Sequence, residues 1–152
     1  MRFHLIDQLI SYDKWKNATA IKNVTKAQNV FLENDSTFSN TLMLESIFQT
    51  AAWLVVCSSN QKFRPTIISF SKFKVYRDIE VGNQLRIEVS VEPIDELNIA
   101  IEGRVYIDTD LVAEINYALL HLLESKDLEN KSETKIYMNF LLRQTRGDTS
   151  EI

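Results

Sequence analysis

The feature that most constrains this chain is a segment, from about Asn40 to Ser58, that is apolar on nearly every side. Its apolar residues recur at helical spacing and beyond it, around almost the whole helical turn: Leu42, Ile47, Phe48, Ala51, Ala52, Leu54 and Val55. A helix with apolar residues all round is usually buried rather than merely amphipathic. Ser39 and Asn40 are candidate N-cap residues for it. The segment therefore predicts a central helix that other elements enclose.

Strand patterns lie on both sides of this helix. Residues 17–25 alternate apolar and polar before it, followed by a polar, turn-rich loop over residues 26–38. Four strand-like runs follow the helix: Thr66 to Tyr76, Gln84 to Val91, Asn98 to Asp108 and Leu111 to Leu122. Their connections are short, which favours antiparallel neighbours. We therefore expect an α+β fold in which a curved antiparallel sheet wraps around the central helix.

The C-terminal part of the chain predicts a second helix. Residues 124–130 are charged and resemble a connector, and Asn130 with Glu133 matches a capping box. An apolar stripe of Ile136, Tyr137, Phe140 and Leu141 follows. Arg143 and Arg146 in the last turn, with Gly147 beyond, predict a helix over residues 131–146 and then a disordered tail. We accordingly divide the chain into a domain over 1–123 and an extension over 124–152.

Composition excludes several classes of protein. The chain has 152 residues, a net charge of −4 and a single cysteine, Cys57. One domain suits this length, and the charge does not favour binding of nucleic acid. No disulfide can form within the chain, which fits a cytoplasmic protein. We expect no membrane span, no metal site, since no Cys/His cluster occurs, and no nucleotide cofactor, since no Gly-rich loop occurs.

Two short motifs resemble those of bacterial 3-hydroxyacyl-[acyl-carrier-protein] dehydratases, which have the hot-dog fold. In that family a Glu on the central helix is followed four residues later by Gln and then by small residues, as in Leu44-Glu45-Ser46-Ile47-Phe48-Gln49-Thr50-Ala51-Ala52. Val81-Gly82-Asn83-Gln84-Leu85 is similar to the family's Pro-Gly-Asp-Gln-Leu turn. Phe3-His4-Leu5-Ile6-Asp7 looks like its first segment. The resemblance implies a hot-dog fold over about residues 1–123, with a C-terminal helix added.

The chain departs from the family where the catalytic His should be. The family carries that His in a Gly-His-Phe-Pro-Gly loop before the helix, but the corresponding residues 31–36 are shorter and contain no His, Gly or Pro. Ser39-Asn40 replaces Pro-Gly at the helix start, and Trp53 replaces a small residue. His4 and His121 are the only histidines of the chain, and neither aligns with the catalytic one.

What the resemblance implies about chemistry centres on Glu45. Dehydration needs a base to remove the proton alpha to the thioester carbonyl and an acid for the departing hydroxyl, which the family assigns to His and Glu. Backbone N–H groups at a helix N-terminus can hold the enolate oxygen. Glu45 is therefore the candidate catalytic residue, and the candidate substrate-binding residues are Gln49, Asn40 and Trp53. A structural role for Gln49 and a core position for Trp53 remain alternatives.

Three functions stay open at this point. In the first, the chain is a dehydratase-like protein of fatty-acid or polyketide-type biosynthesis, and a paralogue in a heterodimer supplies the missing His. Alternatively it is a catalytically inactive subunit or acyl-binding partner, or a thioesterase that uses Glu45. Expected partners are an acyl carrier protein or coenzyme A thioester and a second subunit, as homodimer or heterodimer.

The remaining candidate residues have structural explanations as well. We expect His4 to pack near the chain end, His121 to be satisfied within a strand, and Cys57 to be buried as a small apolar residue. A local basic group either meets an acidic carrier or phosphopantetheine phosphate, or lies on solvated strand faces. That group consists of Arg64, Lys72, Lys74 and Arg77.

Overall fold

The computed structural model describes residues 4–25, 32–33, 37–125, 131–143 and 146–147. Two helices and eleven strands occur among these residues. In chain order they are β1 (Gln8–Asp13), β2 (Asn17–Asn23), β3 (Leu32–Glu33), β4 (Thr37–Phe38), α1 (Asn40–Ser58), β5 (Phe63–Phe70), β6 (Phe73–Val75), β7 (Ile79–Glu80), β8 (Gln84–Pro93), β9 (Asn98–Ile107), β10 (Asp110–Glu124), α2 (Lys131–Leu141) and β11 (Arg146–Gly147).

The strands form one large sheet with the order β11-β1-β2-β8-β9-β10-β5, and β6 also pairs with β10. Every pairing in it is antiparallel except the parallel pair of β1 and β11. Strands β3, β4 and β7 form a separate small sheet. The predicted antiparallel sheet is confirmed, and its inner face alternates as expected. In β8, for example, Leu85, Ile87 and Val89 are buried.

Helix α1 lies against this sheet and has the bounds that its sequence predicts. It contacts β2, β5, β8 and β9, so the sheet curves around it. One close contact depends on Gly103 in β9, because a Cβ atom there would stand 2.5 Å from Cγ2 of Ile47. The fold is therefore the predicted hot-dog fold, a curved antiparallel sheet around a central helix with a second helix at the C-terminus.

Several local predictions were wrong. The run from Thr66 to Tyr76 forms two strands, because Ser71 leaves β5 and donates from both N–H and Oγ to the carbonyl of Tyr117. Strand β1 was not predicted. Helix α2 ends at Leu141 rather than at residue 146, because Arg146 and Gly147 pair with β1 as β11. The N-cap of α1 is Ser39, one of the two predicted candidates, but its side chain makes no capping hydrogen bond.

Other predictions fall on residues that the structure does not describe. Most of the loop over 26–38, the connector over 126–130 with Asn130, and the tail beyond Gly147 lie outside the described ranges. Of residues 31–36, which stand in place of the family's His loop, only Leu32 and Glu33 are described, as β3.

Helix α1 is long and apolar enough to cross a membrane by length and composition alone. About two thirds of that apolar stretch, 67%, is buried inside the fold, which is what a core helix also shows. Its apolar character is accounted for by its place inside the sheet, as the sequence predicts.

Candidate functional site

A cavity of about 320 Å³ opens between α1 and β5. Glu45 and Gln49 reach it from the helix, and Ile67 reaches it from the strand. Residues spaced by three and four positions share one face of a helix, so the α1 residues that line the cavity form a single stripe. The lining consists of Glu45, Phe48, Gln49 and Ala52 from α1, Arg64, Pro65, Thr66 and Ile67 from β5, and Leu120 from β10.

Glu45 differs from the rest of this stripe in its exposure. Phe48 and Gln49 are buried, whereas the side chain of Glu45 is exposed in the single chain. The expectation that the helix is buried is thus wrong at Glu45, as it is at Asn40 and Thr41 in the first turn. At Glu45 the reason is that β5 is the last strand of the sheet, so nothing within the described chain covers the helix beyond it. A carboxyl group consequently stands at the mouth of the cavity, in contact with solvent.

Gln49 connects the cavity to the N-terminal segment. Its Oε1 accepts a hydrogen bond from the backbone N–H of Leu5 at 2.9 Å, and its side chain is 4% exposed. The hydroxyl of Ser46 donates to the carbonyl of Leu42 at 2.8 Å and lies 3.3 Å from the carbonyl of Leu5. The amide of Gln49 is therefore held in place by the backbone, one helical turn after Glu45.

Asn40 and Trp53 are not among the residues that line the cavity. Asn40 is the exposed first residue of α1. The Trp53 ring is buried and packs on Tyr137 of α2, with 5.4 Å between ring centroids. Within the described part of the chain, the indole N–H of Trp53 has no hydrogen-bond partner. The structure brings Glu45 and Gln49 together, and it leaves the substrate contacts proposed for Asn40 and Trp53 as predictions.

Neither histidine lines the cavity. The His4 ring stacks on Tyr137 at 3.9 Å, and burial lowers the pKa of His4. The Nδ1 atom of His121 lies 3.0 Å from Oδ1 of Asn98, so this residue is satisfied within the sheet as predicted. Among the described residues that line the cavity, Glu45 is thus the one carboxyl group, and no imidazole accompanies it.

Cys57 is buried near the end of α1, as predicted. Its side chain is enclosed by the core, and burial raises the pKa of the thiol to about 12. A thiol that stays protonated is a poor nucleophile. Cys57 is therefore part of the core and takes no part in the chemistry of the site.

Arg64 was predicted only as a member of a surface basic group, but it lines the cavity. Its side chain is largely buried, whereas Lys72, Lys74 and Arg77 are exposed. The apolar residues that follow Arg64, such as Ile67, predict a strand, but they do not show which face of that strand lies against α1. The register of β5 on β10 decides this, and sequence alone does not supply that register.

No family model matches the chain. Comparison with characterised proteins nevertheless finds relatives across most of its length. It is 31% identical over 121 residues to 3-hydroxyacyl-[acyl-carrier-protein] dehydratase FabZ of Variovorax paradoxus, covering 74% of this chain and 79% of that one. It is 32% identical over 121 residues to the FabZ protein of Coxiella burnetii, covering 74% and 84%.

Solved structures with the same fold include proteins described as a dehydratase and as a thioesterase. A hot-dog-like protein from Thermanaerovibrio acidaminovorans superposes with a TM-score of 0.61 at 14% identity, over 84% of this chain and 92% of that one. The dehydratase heterocomplex ApeI:P from Xenorhabdus doucetiae gives 0.65 at 14%, over 90% of each chain. A hypothetical thioesterase from Streptococcus pneumoniae with coenzyme A gives 0.59 at 10%, over 74% and 83%. At these identities the likeness concerns the fold.

Proposed function

Because this chain belongs to the FabZ family of 3-hydroxyacyl-[acyl-carrier-protein] dehydratases, we propose that it is one subunit of a dehydratase acting on 3-hydroxyacyl thioesters. In this proposal Glu45 provides one of the two catalytic groups, and a second subunit provides the imidazole. The observation that carries it is the exposed Glu45 at the mouth of a cavity whose described lining contains no histidine.

The chemistry needs two groups, one acting at each carbon of the bond that becomes the double bond. The partner's imidazole removes the proton from the carbon alpha to the thioester carbonyl. The carboxyl group of Glu45 donates its proton to the hydroxyl on the next carbon, the C–O bond breaks, water leaves and the double bond forms. Loss of either group typically lowers the rate by about 10²–10⁴. Glu45 alone therefore makes a weak catalyst.

The α1 N-terminus is the proposed site for the negative charge that develops on the thioester oxygen. The first turn of α1 contains no acidic residue, and the Ser39 side chain makes no capping bond. Its backbone N–H groups thus lack a side-chain cap, and such groups stabilise anions. Asn40, the first helical residue, is proposed to contact the substrate there.

The second subunit is proposed to dock on β5. The outer edge of this strand is not paired within the described chain, and Ile67, Ile68 and Phe70 are 42%, 56% and 49% exposed. A strand from another subunit would continue the sheet and cover Glu45. The heterocomplex among the structural neighbours supports a partner that is not identical to this chain.

We propose that the substrate is carried by an acyl carrier protein or coenzyme A, in fatty-acid or polyketide-type biosynthesis. A thioesterase is the second candidate, favoured by the exposed carboxyl at the cavity and by the thioesterase name of one structural neighbour. A helix carboxylate can activate water against a thioester without an imidazole. A catalytically inactive subunit that supports an active partner is the third.

The proposal is tested by co-purifying the chain with its partner from the native host. The complex and the isolated chain are then assayed with 3-hydroxybutyryl and crotonyl thioesters of an acyl carrier protein. We expect the complex to interconvert them and the isolated chain to show little activity. Glu45→Gln should lower the rate of the complex by about 10²–10⁴. Glu96→Gln, at the exposed turn between β8 and β9, should leave it unchanged.

Each alternative gives a different result in this assay. Free thiol released from an acyl thioester, lost in Glu45→Gln, would identify a thioesterase. A complex that keeps full dehydration in Glu45→Gln would assign this chain an inactive, supporting role. Full turnover by the isolated chain that is lost in Glu45→Gln would contradict the need for a partner.

A further inference from the structure

The open edge of the sheet has an unusual distribution of charge. Strands β5 and β6 lie end to end along β10 and together form this edge. Between residues 60 and 77 the chain has five cationic residues and no acidic one, although its net charge is −4. The five are Lys62, Arg64, Lys72, Lys74 and Arg77.

These cations differ in how far they are neutralised. Arg77 lies 3.4 Å from Asp110, and Lys74 stands opposite Glu114 in the register of β6 on β10. Arg64 turns toward the cavity. Lys62 and Lys72 are exposed, and they stand just before and just after β5. We call β5 with Lys62 and Lys72 the basic edge.

Antiparallel pairing of the basic edge with itself is electrostatically unfavourable. A two-fold axis between two copies brings the start of β5 in one beside the end of β5 in the other. Lys62 of one copy would then approach Lys72 of the other, twice in each dimer. Like charges that face each other across paired strands are destabilising, and like-charged surfaces also slow association.

We propose that the basic edge selects as its partner a non-identical hot-dog subunit whose own edge strand is flanked by acidic residues. This inference rests on the proposed docking of a second subunit at β5, and it adds the chemistry by which that subunit is distinguished from another copy of this chain. The apolar side chains of β5 supply the contact area, and the two lysines disfavour self-pairing.

The proposal can be tested with the chain itself as a substitute partner. In the double variant Lys62→Glu and Lys72→Glu both flanks are acidic, so this variant should pair with wild type and neither should pair with itself. In the single variant Lys72→Glu the two flanks have opposite charges, so it should form a homodimer. Analytical ultracentrifugation measures all three associations.

The attraction between opposite charges is screened by salt. We therefore expect the dissociation constants of the mixed pair and of the Lys72→Glu homodimer to be at least about tenfold higher in about 0.5 M salt than in about 0.05 M salt. The control is Lys16→Glu with Lys135→Glu, both exposed and away from the edge. It has the same net charge as the double variant and should not associate with wild type. Circular dichroism shows that each variant is folded.

Three results would overturn the proposal. The first is a wild-type homodimer at low salt as tight as the mixed pair. The second is the absence of association in both the mixed pair and Lys72→Glu. The third is loss of acyl carrier protein binding in the double variant with no mixed pair, which would assign the lysines to the carrier. None of these measurements uses a substrate turnover, so they can fail while the dehydration assay succeeds, and the reverse.

Discussion

The two ends of the sheet in this protein are finished in opposite ways. At one end, β1 pairs with the short strand β11, and helix α2 packs beside it. At the other end, β5 has one neighbour among the described residues, β10, and the apolar side chains Ile67, Ile68 and Phe70 are exposed there. An unpaired apolar edge strand favours association, and proteins usually protect such edges. The same chain protects one edge and leaves the other open.

The protected edge is held by specific contacts. Nε2 of Gln8 donates to the carbonyl of Arg143 at 2.7 Å, and the Arg143 guanidinium donates to the carbonyl of Asp7 at 3.2 Å. The Tyr137 ring stacks on His4 and packs against Trp53. Backbone, side-chain and ring contacts therefore all join the C-terminal segment to the start of the chain.

The difference between the edges is the reason for proposing that a second subunit docks on β5. The protected edge, formed by β11 and β1, is at the opposite end of the sheet from the cavity. The open strand β5, in contrast, lines the cavity that contains Glu45. A subunit that docks on β5 meets the candidate site, and one that docks beyond β11 does not. The unpaired edge of β5 and the candidate site are next to each other, and this supports the proposed function.

The largest effect that separates the two edges is expected from truncation of their apolar side chains. Leu141 is 1% exposed at the protected edge, so Leu141→Ala should lower the free energy of unfolding by about 2–4 kcal/mol. Ile68 is exposed, so Ile68→Ala should change it by less than about 0.5 kcal/mol in the isolated chain. Urea unfolding followed by circular dichroism measures both.

For binding of the second subunit, the expected sizes of the two effects are reversed. Ile68→Ala should weaken binding of the second subunit by at least about tenfold, and Leu141→Ala should not, provided that the protein remains folded. Equal losses of stability in the two variants would show that β5 is already covered in the isolated protein, and the comparison of the edges would then be wrong.

The sequence predicts the centre of this structure better than its edges. The all-round apolar pattern of α1 and the alternation in β8 and β9 predict the core, because the periodicity of apolar residues shows which side chains face inward. The end of α2 was predicted too late because Arg143, Arg146 and Gly147 match a helix terminus locally. The pairing of β11 with β1 depends on residues that are distant in sequence, which a local pattern does not contain.

The candidate site was predicted to a similar extent. Glu45 and Gln49 were predicted from the resemblance of the helix motif to that of the dehydratase family, and both line the cavity. The cavity wall from β5, with Arg64 and Thr66, depends on the register of β5 against β10. The exposure of Glu45 could not be predicted either, because it results from the absence of a further strand beside β5 in the described chain.

A smaller effect at the protected edge concerns the phenol group of Tyr137. Burial, followed by the nearby Asp7 carboxylate, raises the pKa of Tyr137 from 10.0 to about 12. Between these values the folded state binds more protons than the unfolded state, so the contribution to stability is complete below pH 10 and is lost as the pH rises toward 12. Because Tyr137 is only partly buried, we expect less than about 1 kcal/mol at pH 10.5.

Tyr137→Phe keeps the ring contacts and removes this titration. Urea unfolding at a series of pH values from 8 to 11 should therefore show a smaller decline in the variant than in wild type. Identical declines in the two proteins would mean that the protected edge does not enclose the phenol group.

The central claim is that a different subunit completes the site across β5, and crosslinking tests it most directly. A photoreactive amino acid is placed at Ile68, on the open edge, and separately at Ser132, an exposed residue of α2, and the chain is crosslinked in its native host. Mass spectrometry then identifies the joined peptides. We expect position 68 to crosslink to a hot-dog paralogue that carries a catalytic His, and position 132 to give no such product. Crosslinks from position 68 to another copy of this chain, or to no hot-dog protein at all, would contradict the account.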